Sequence, residues 1–247
     1  MERRIPETIL EDSKYCPGCG HGIINRLVAE VLHEMKLEED ALCATGVGCA
    51  CWVLEMLGVD QIQAQHGRAP AVATGLKRCR PDKTVFTYQG DGDASAIGLS
   101  ETLWAARRNE KIVEIYVNNG VFGMTGGQMA PTTLEGQKTT TCIHGRDVSL
   151  TGEPLNVLNM INTLDIAYLA RGTVTNAAEI RKTKKYLRKA FEAELNGEGF
   201  SFVEIVSPCP TNWHLSPLKA MERVENEVLK VYPLGEYIKR GEKNNEN

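Results

Sequence analysis

The 247-residue chain has no run approaching the roughly 18 to 20 consecutive apolar residues that a membrane-spanning helix needs. It has no surplus of positive charge either. Its 28 Lys and Arg stand against 32 Asp and Glu, a net charge of -4, which leaves no basic field to wrap a nucleic acid. The opening residues Met1-Glu2-Arg3-Arg4-Ile5-Pro6 lack the apolar segment of a secretory signal, and no internal repeat or linker is visible. These absences set aside membrane proteins, polyanion binders, exported proteins and repeat arrays; the expectation is a cytoplasmic protein. With 42% hydrophobic and 24% charged residues the chain can bury one sizeable core.

Cysteine is abundant by contrast, with eight residues at 16, 19, 43, 49, 51, 79, 142 and 209. In a reducing compartment such cysteines are seldom disulfides and more often buried thiols or metal ligands. The first question is which of them bind something.

Hydrophobic spacing predicts a polar arm over 1–14 and an amphipathic helix over 21–35, built on Ile23, Ile24, Leu27, Val28, Val31, Leu32 and Met35. A buried strand at 41–45 and helices at 50–57 and 70–79 follow. The β-branched and aromatic segment Thr84–Tyr88 reads as a strand, 95–108 as a helix, and Ile112–Val117 as a second strand. Strand, crossover helix and strand imply a parallel sheet with right-handed connections. The Gly-, Thr- and Pro-rich stretch from 122 to about 153 has no period, and a loop this long in a compact domain is usually functional or mobile. Helices are expected at 155–163, at 176–195 behind a Thr175 or Asn176 cap, and near 217–231, with a last strand at 202–206. The whole is one α/β domain over 15–232, a parallel sheet with helices on both faces, followed by a polar tail over 233–247, its last residues expected to be disordered.

Gly90-Asp91-Gly92 ends the first of the paired strands, and Asn118-Asn119 ends the second after 25 intervening residues. A strand end exposes Asp91, glycines let backbone approach phosphate oxygens, and the following helix start offers free N–H groups to an anion. Asn119 arrives at the same sheet edge. A carboxylate, an amide oxygen and a backbone carbonyl, with phosphate oxygens and water, complete the octahedron that Mg²⁺ prefers. Each motif alone is a good turn sequence; together, across a strand-helix-strand unit, they point to a diphosphate held through a divalent ion. The competing dinucleotide motif at Gly46-Val47-Gly48 lacks its third glycine.

Tyr15-Cys16-Pro17-Gly18-Cys19-Gly20-His21-Gly22 holds a C-x₂-C turn. Cys49 and Cys209 each follow an expected strand end, so four thiolates at one sheet edge suit a [4Fe–4S] cluster or a structural Zn²⁺, and spacing does not separate the two. A redox-active dithiol is a third reading, disfavoured by the two further cysteines at similar loop positions, and a small buried residue at a strand end is the alternative for Cys49 and Cys209. Cys51 competes with Cys49 for the third position, whereas Cys43, Cys79 and Cys142 read as packing residues.

The paired Gly-Asp-Gly and Asn-Asn are similar to the thiamine diphosphate fingerprint, and with the C-x₂-C turn they resemble the β subunit of the 2-oxoacid:ferredoxin oxidoreductases. The likeness extends through Ala44–Cys49, His66-Gly67-Arg68-Ala69, Gly90–Gly98, Ala106–Asn109, Asn118–Gln128 and Phe202–Pro210 in the family's order, over most of 15–212. The resemblance implies a [4Fe–4S] cluster on Cys16, Cys19, Cys49 and Cys209, and Mg²⁺ on Asp91, Asn119 and the Val121 carbonyl. It implies cofactor contacts from Gly46, Cys49, Gly67, Gly90, Gly92, Asp93, Gly123, Met124 and Thr125, with His66, Arg68 and Thr125 near the reacting atoms. The reaction implied is CoA-dependent oxidative decarboxylation of a 2-oxoacid to an acyl-CoA and CO₂, with electrons passing to ferredoxin. A glutamate for the cofactor's aminopyrimidine comes, in this family, from a separate pyrimidine-binding domain that this sequence does not contain. The resemblance therefore implies an α subunit, a ferredoxin or ferredoxin-like subunit, and a hetero-oligomer. The Gly123–Thr133 stretch looks most like members acting on 2-oxoglutarate or branched-chain 2-oxoacids. Two rivals keep part of the pattern: a non-redox thiamine decarboxylase or synthase subunit, and a zinc-stapled binding protein.

Overall fold

In the computed structural model residues 5–239 are described. Helix α1 (Gly20–Met35) buries Ile24, Leu27, Val28, Val31 and Leu32, the stripe its sequence spacing predicts, and ends at Lys36 in the left-handed region. Strand β1 (Ala41–Thr45) leads to a 3₁₀ turn at Cys49–Trp52 and the short α2 (Val53–Met56), in place of one continuous helix over 50–57. Then come β2 (Asp60–Gln63), α3 (Ala69–Cys79) with a proline in its first turn, and β3 (Thr84–Gly90). The helix expected from residue 95 starts earlier, as a π-helical turn over Gly92–Ile97, and continues as α4 (Leu99–Arg107). Strand β4 (Val113–Asn118) is wholly buried.

The aperiodic stretch that follows carries a two-residue hairpin, β5 (Val121–Phe122) with β6 (Gln128–Met129), and the single turn α5 (Val148–Thr151). Helix α6 (Val157–Ile161), strand β7 (Tyr168–Thr173), helix α7 (Ala177–Leu195) and strand β8 (Ser201–Val206) complete the core. Asn176 caps α7 by accepting from the Ala178 and Glu179 N–H groups at 3.1 and 3.0 Å, as its residue type predicts. One-turn helix α8 (Pro210–Trp213), helix α9 (Pro217–Arg223) and strand β9 (Gly235–Lys239) follow.

The sheet order is β2-β1-β3-β4-β8-β7-β9. Every neighbouring pair is parallel except β7 with β9. Helices α1 and α7 pack on one face around Phe86, Ile115 and Phe191. Helices α3, α4 and α6 cover the other around Val85, Tyr116 and Phe202. The chain leaves β1 toward one side of the sheet and returns on the other to make β3, so the order reverses between β1 and β3, where open α/β sheets leave a crevice beyond their carboxyl ends. Among the described residues no helix is long and apolar enough to cross a membrane.

Besides the β5–β6 hairpin, three strands of the main sheet escape the sequence pattern. Strand β2 is polar because it is an edge. Strand β7 carries Arg171 in its middle, and β9 pairs at the far edge inside the segment expected to be a polar tail; the rest of that tail, 240–247, lies outside the described residues. The expected loose arm is docked as well: Ile9 bridges Leu57, and the Gly58 N–H donates to the Thr8 carbonyl at 2.7 Å. Residues 1–4 of that arm are outside the described residues.

Arg171 is fully buried, which is tolerable only because its charge is matched. It donates Nε to Glu204 at 2.8 Å and Nη2 to Asn156 at 2.7 Å, and lies over the Tyr232 ring. The other Glu204 oxygen accepts from Asn118 at 2.8 Å. Replacing Arg171 with Met leaves the Glu204 charge buried and alone, and the expected cost is about 3–5 kcal/mol of unfolding free energy. A lowered denaturant midpoint at unchanged slope would record it; an unchanged midpoint would contradict the account.

Candidate functional site at the carboxyl edge of the sheet

Strands β1, β3, β4 and β8 lie side by side, and each delivers a loop to the same edge: Gly46, Asp91, Asn119 and Ser207-Pro208-Cys209. Asp91 is buried at the end of β3. One oxygen accepts from its neighbour's N–H, Gly92, at 2.8 Å, and the other from the Gly120 N–H at 2.7 Å and from the Thr132 hydroxyl. Burial pushes the Asp91 carboxyl up to about 6, against the downward pull of these donors. A divalent cation beside it would return it to the ionised form. Asn119 is buried next to it, its Oδ1 accepting from the Val121 N–H at 3.2 Å. Gly92 has to be glycine, since a Cβ there would stand 2.5 Å from the Phe122 ring.

A cavity of about 90 Å³ opens here, lined by Asp91, Gly92, Asn119 and Val121 and by Gly48, Cys49 and Gly123. His66, Asp93, Met124 and Thr125 line it too, with Gly90 at its base. Thr125 is exposed at the rim and donates its hydroxyl to Gln128 at 2.7 Å.

Asp93 is occupied by the protein itself. Its carboxylate accepts from the Val47 N–H at 3.1 Å, the Gly67 N–H at 2.8 Å and the Gln89 side chain, and His66 Nδ1 lies against it without the alignment of a hydrogen bond. Gly46 leaves room for this carboxylate, because a Cβ would fall 2.5 Å from Oδ2. Asp93 thus pins the β1 and His66 loops to the helix start while also lining the cavity. Gly67, at φ +78°, brings its backbone against Gly98, where a Cβ would stand 2.7 Å from the amide nitrogen. Arg68 turns outward to pair with Glu101 on α4 and does not line the cavity.

The cysteines divide sharply. Burial pushes the Cys19 and Cys49 thiols up to about 12, and each also feels the thiols of Cys209 and Cys16. Cys209 is raised by burial first and then by Asp91 and Cys16, so the thiol group and the carboxylate site are within electrostatic reach. Close packing holds the three segments together. A Cβ on Gly20 would strike Ser207 Oγ at 2.1 Å, one on Gly18 would strike Pro217, and one on Gly123 would stand 3.1 Å from Cys49 Sγ. Cys51, raised by burial and then by Glu55, lies off the cavity wall. Cys43 is buried in β1, and Cys79 and Cys142 stand apart from this edge, Cys142 donating to the Gly145 carbonyl at 3.0 Å. Among the described residues no three His, Cys, Asp or Glu side chains are gathered tightly enough to hold one bare metal ion.

Residues 46–205 match the model of the thiamine pyrophosphate enzyme C-terminal TPP binding domain. The chain is 37% identical over 199 residues to the 2-oxoglutarate synthase subunit KorB of Methanocaldococcus jannaschii, covering 80% of this chain and 69% of that one. It belongs to the 2-oxoacid:ferredoxin oxidoreductase subunits. The ketoisovalerate oxidoreductase subunit VorA of Methanothermobacter thermautotrophicus is 41% identical over 92% of this chain and 48% of its own length. The chain thus spans about half the length of these VorA relatives. A solved 2-oxoglutarate:ferredoxin oxidoreductase from Magnetococcus marinus, with 2-oxoglutarate, coenzyme A and succinyl-CoA bound, superposes with a TM-score of 0.76 at 27% identity, covering 97% of this chain and 86% of the other.

Within this oxidoreductase subunit, sequence reading passed over several residues that build the site. Thr132 reaches Asp91 from the aperiodic loop, and Arg146 holds that loop in place, donating to the carbonyls of Pro131 and Thr133 at 2.7 Å and of Gly152 at 2.8 Å. His21 lines the cavity, its Nδ1 2.9 Å from the Tyr88 hydroxyl and its Nε2 without a partner among the described residues. Burial pushes it down to about 4. None of these has a periodic or motif signal; a Gly-flanked His after C-x₂-C was the nearest to one.

Two outcomes follow. Gly67→Ala collides with backbone and strains φ, so the loop carrying His66 is expected to shift, with a stability loss above the about 1 kcal/mol of an unstrained Gly-to-Ala exchange; thermal unfolding measures it. Glu114, in β4, accepts from Thr102 at 2.8 Å, and burial pushes it up to about 8 against an ordinary value of 4.5. Its folded form holds a proton that the unfolded chain releases, so its contribution is complete below about pH 4.5 and fades as pH rises through 8. Glu114→Gln should flatten the fall in stability across that window, and an unchanged slope would count against it.

Proposed function

We propose that this chain is the thiamine diphosphate and iron–sulfur half of a 2-oxoacid:ferredoxin oxidoreductase. The observation that carries the reading is the meeting of two donor sets at one edge: Asp91, Asn119 and Cys49 line one cavity, and Cys209 follows the neighbouring strand β8 to the same edge. One set has the hard oxygens that suit Mg²⁺ and a diphosphate. The other has the four thiols that suit a [4Fe–4S] cluster, with Cys49 favoured over Cys51 because it faces the cavity. A site for group chemistry beside a site for single electrons is what an oxidative decarboxylation feeding a one-electron carrier requires.

In this reading Asp91, Asn119 and the Val121 carbonyl hold the ion, and Gly90, Gly92 and the helix start behind them bring backbone to the diphosphate. Gly123 and Met124 flank the cofactor. Asp93 positions Gly46, His66 and Gly67, and His66 lines the cavity where the substrate would enter. Thr125 offers a hydroxyl for the substrate carboxylate. Arg68, tied to Glu101, belongs to the rim. When bound, thiamine diphosphate supplies the electron sink for decarboxylation and the cluster accepts electrons singly.

The substrate class is a 2-oxoacid, with a branched-chain acid or 2-oxoglutarate first in line because the VorA and KorB relatives are named for these, and coenzyme A takes the acyl group. A partner subunit with a pyrimidine-binding domain supplies the remaining walls and the glutamate. Ile97, Trp104 and Met124, exposed near the cavity mouth and on α4, fit that contact. Ferredoxin or a ferredoxin-like subunit receives the electrons.

The test is metal analysis of anaerobically purified protein. Four irons and four sulfides bleached by dithionite are expected; zinc, or a colourless protein retaining thiamine diphosphate, would overturn the redox reading in favour of a staple or a non-redox enzyme. Asp91→Ala should lose thiamine diphosphate and keep the cluster, while Cys209→Ala should do the reverse.

A further inference from the structure

The cluster and cofactor halves of this edge are bridged by a single turn of helix that no motif announces. Helix α8 follows Cys209 directly. Asn212, half-buried on that turn, donates Nδ2 both to Cys209 Sγ at 3.4 Å and to the Gly123 carbonyl at 3.0 Å. Its backbone N–H donates to the same sulfur. Its Oδ1 packs against Gly127, where a Cβ would stand 2.9 Å away, so the glycine loop Gly123–Gly127 closes on this side chain. The next residue, Trp213, donates its indole N–H to the Asn119 carbonyl at 3.2 Å. One helical turn thus grips a thiol ligand, the loop lining the cofactor cavity and the backbone of the second ion ligand.

Resting on the function proposed above, we propose that Asn212 is a positioning residue that couples the cofactor cavity to the iron–sulfur site. Two consequences follow from its bonds. An N–H donor on a thiolate stabilises the more negative, reduced cluster, so it raises the reduction potential. Because the same amide is shared with Gly123, any adjustment of the 123–127 loop on cofactor binding alters the donor geometry at Cys209. Filling the cavity therefore changes the potential, and by linkage the redox state of the cluster changes thiamine diphosphate affinity by the same factor.

The experiment is an EPR-monitored redox titration of the anaerobically purified native complex, with and without thiamine diphosphate. In the wild type, adding the cofactor is expected to change the oxidised-to-reduced ratio at fixed potential several-fold; a tenfold change is 59 mV for one electron. Asn212→Leu keeps the volume and removes the donor; its potential should fall, and its response to the cofactor should vanish. Asn212→Gln, which retains an amide, should recover part of the response. An identical wild-type potential with and without cofactor overturns the coupling without any variant. An Asn212→Leu protein that keeps both the wild-type potential and its response overturns the role of Asn212. A wild type with no four-iron cluster overturns the functional reading and this inference together, whereas a normal cluster with an unresponsive potential overturns the inference alone.

Discussion

The buried carboxylate of Asp91 is the constraint around which this edge of the molecule is arranged. A charge-bearing group at the end of a central strand costs free energy unless donors surround it, and here the donors come from three separate parts of the chain. Gly92 starts the helix behind it, Gly120 belongs to the turn after the neighbouring strand, and Thr132 stands in the long aperiodic loop. Satisfying Asp91 brings the ends of β3 and β4 and that loop into one unit. The adjacent Asp93 does the same for the other side, fixing the Val47 and Gly67 backbones. Two carboxylates two residues apart thus tie together different loops at one sheet edge.

The order of the aperiodic loop has its own physical source. Arg146 is nearly buried and faces backbone carbonyls from 130–133 and 151–153, with no carboxylate among its hydrogen-bond partners. The Ala130 and Pro131 carbonyls also accept from the Thr133 and Leu155 N–H groups, and the guanidinium supplies further donors to a loop that has little of the ladder a strand or helix would provide. Across the sheet Arg171, Glu204 and Asn118 form a second buried polar chain that ends one residue from Asn119. The Asn118-Asn119 end of β4 is thereby tied to paired charges, and Asp91 to the loop.

Much of the fold was legible in residue order. The apolar stripe of α1, the core strands β1, β3, β4 and β8, and the Asn176 cap of α7 all follow from local spacing and residue type, because burial on one face or two imposes a period that sequence retains. The strands β2, β7 and β9 were not legible. An edge strand need not be apolar, and a buried arginine makes a central one look polar until its partners are known. Likewise the paired Gly-Asp-Gly and Asn-Asn and the C-x₂-C turn stand out by spacing, whereas Thr132, Arg146, His21 and Asn212 act only through contacts with residues far away in sequence.

The sequence by itself determined a parallel α/β domain, a cysteine-rich edge and a family. Those are carried by periodicity, by residue types at strand ends and by motif order, all local properties. Only the tertiary structure decided that Asp93 holds the Val47 and Gly67 backbones, that Arg68 faces Glu101 outside the cavity, that Cys49 lines the cavity while Cys51 does not, and that one turn of helix contacts Cys209, Gly123 and Asn119 together. The physical reason is that a side chain's role depends on which distant group satisfies it, and such pairings come into being only when the strands align.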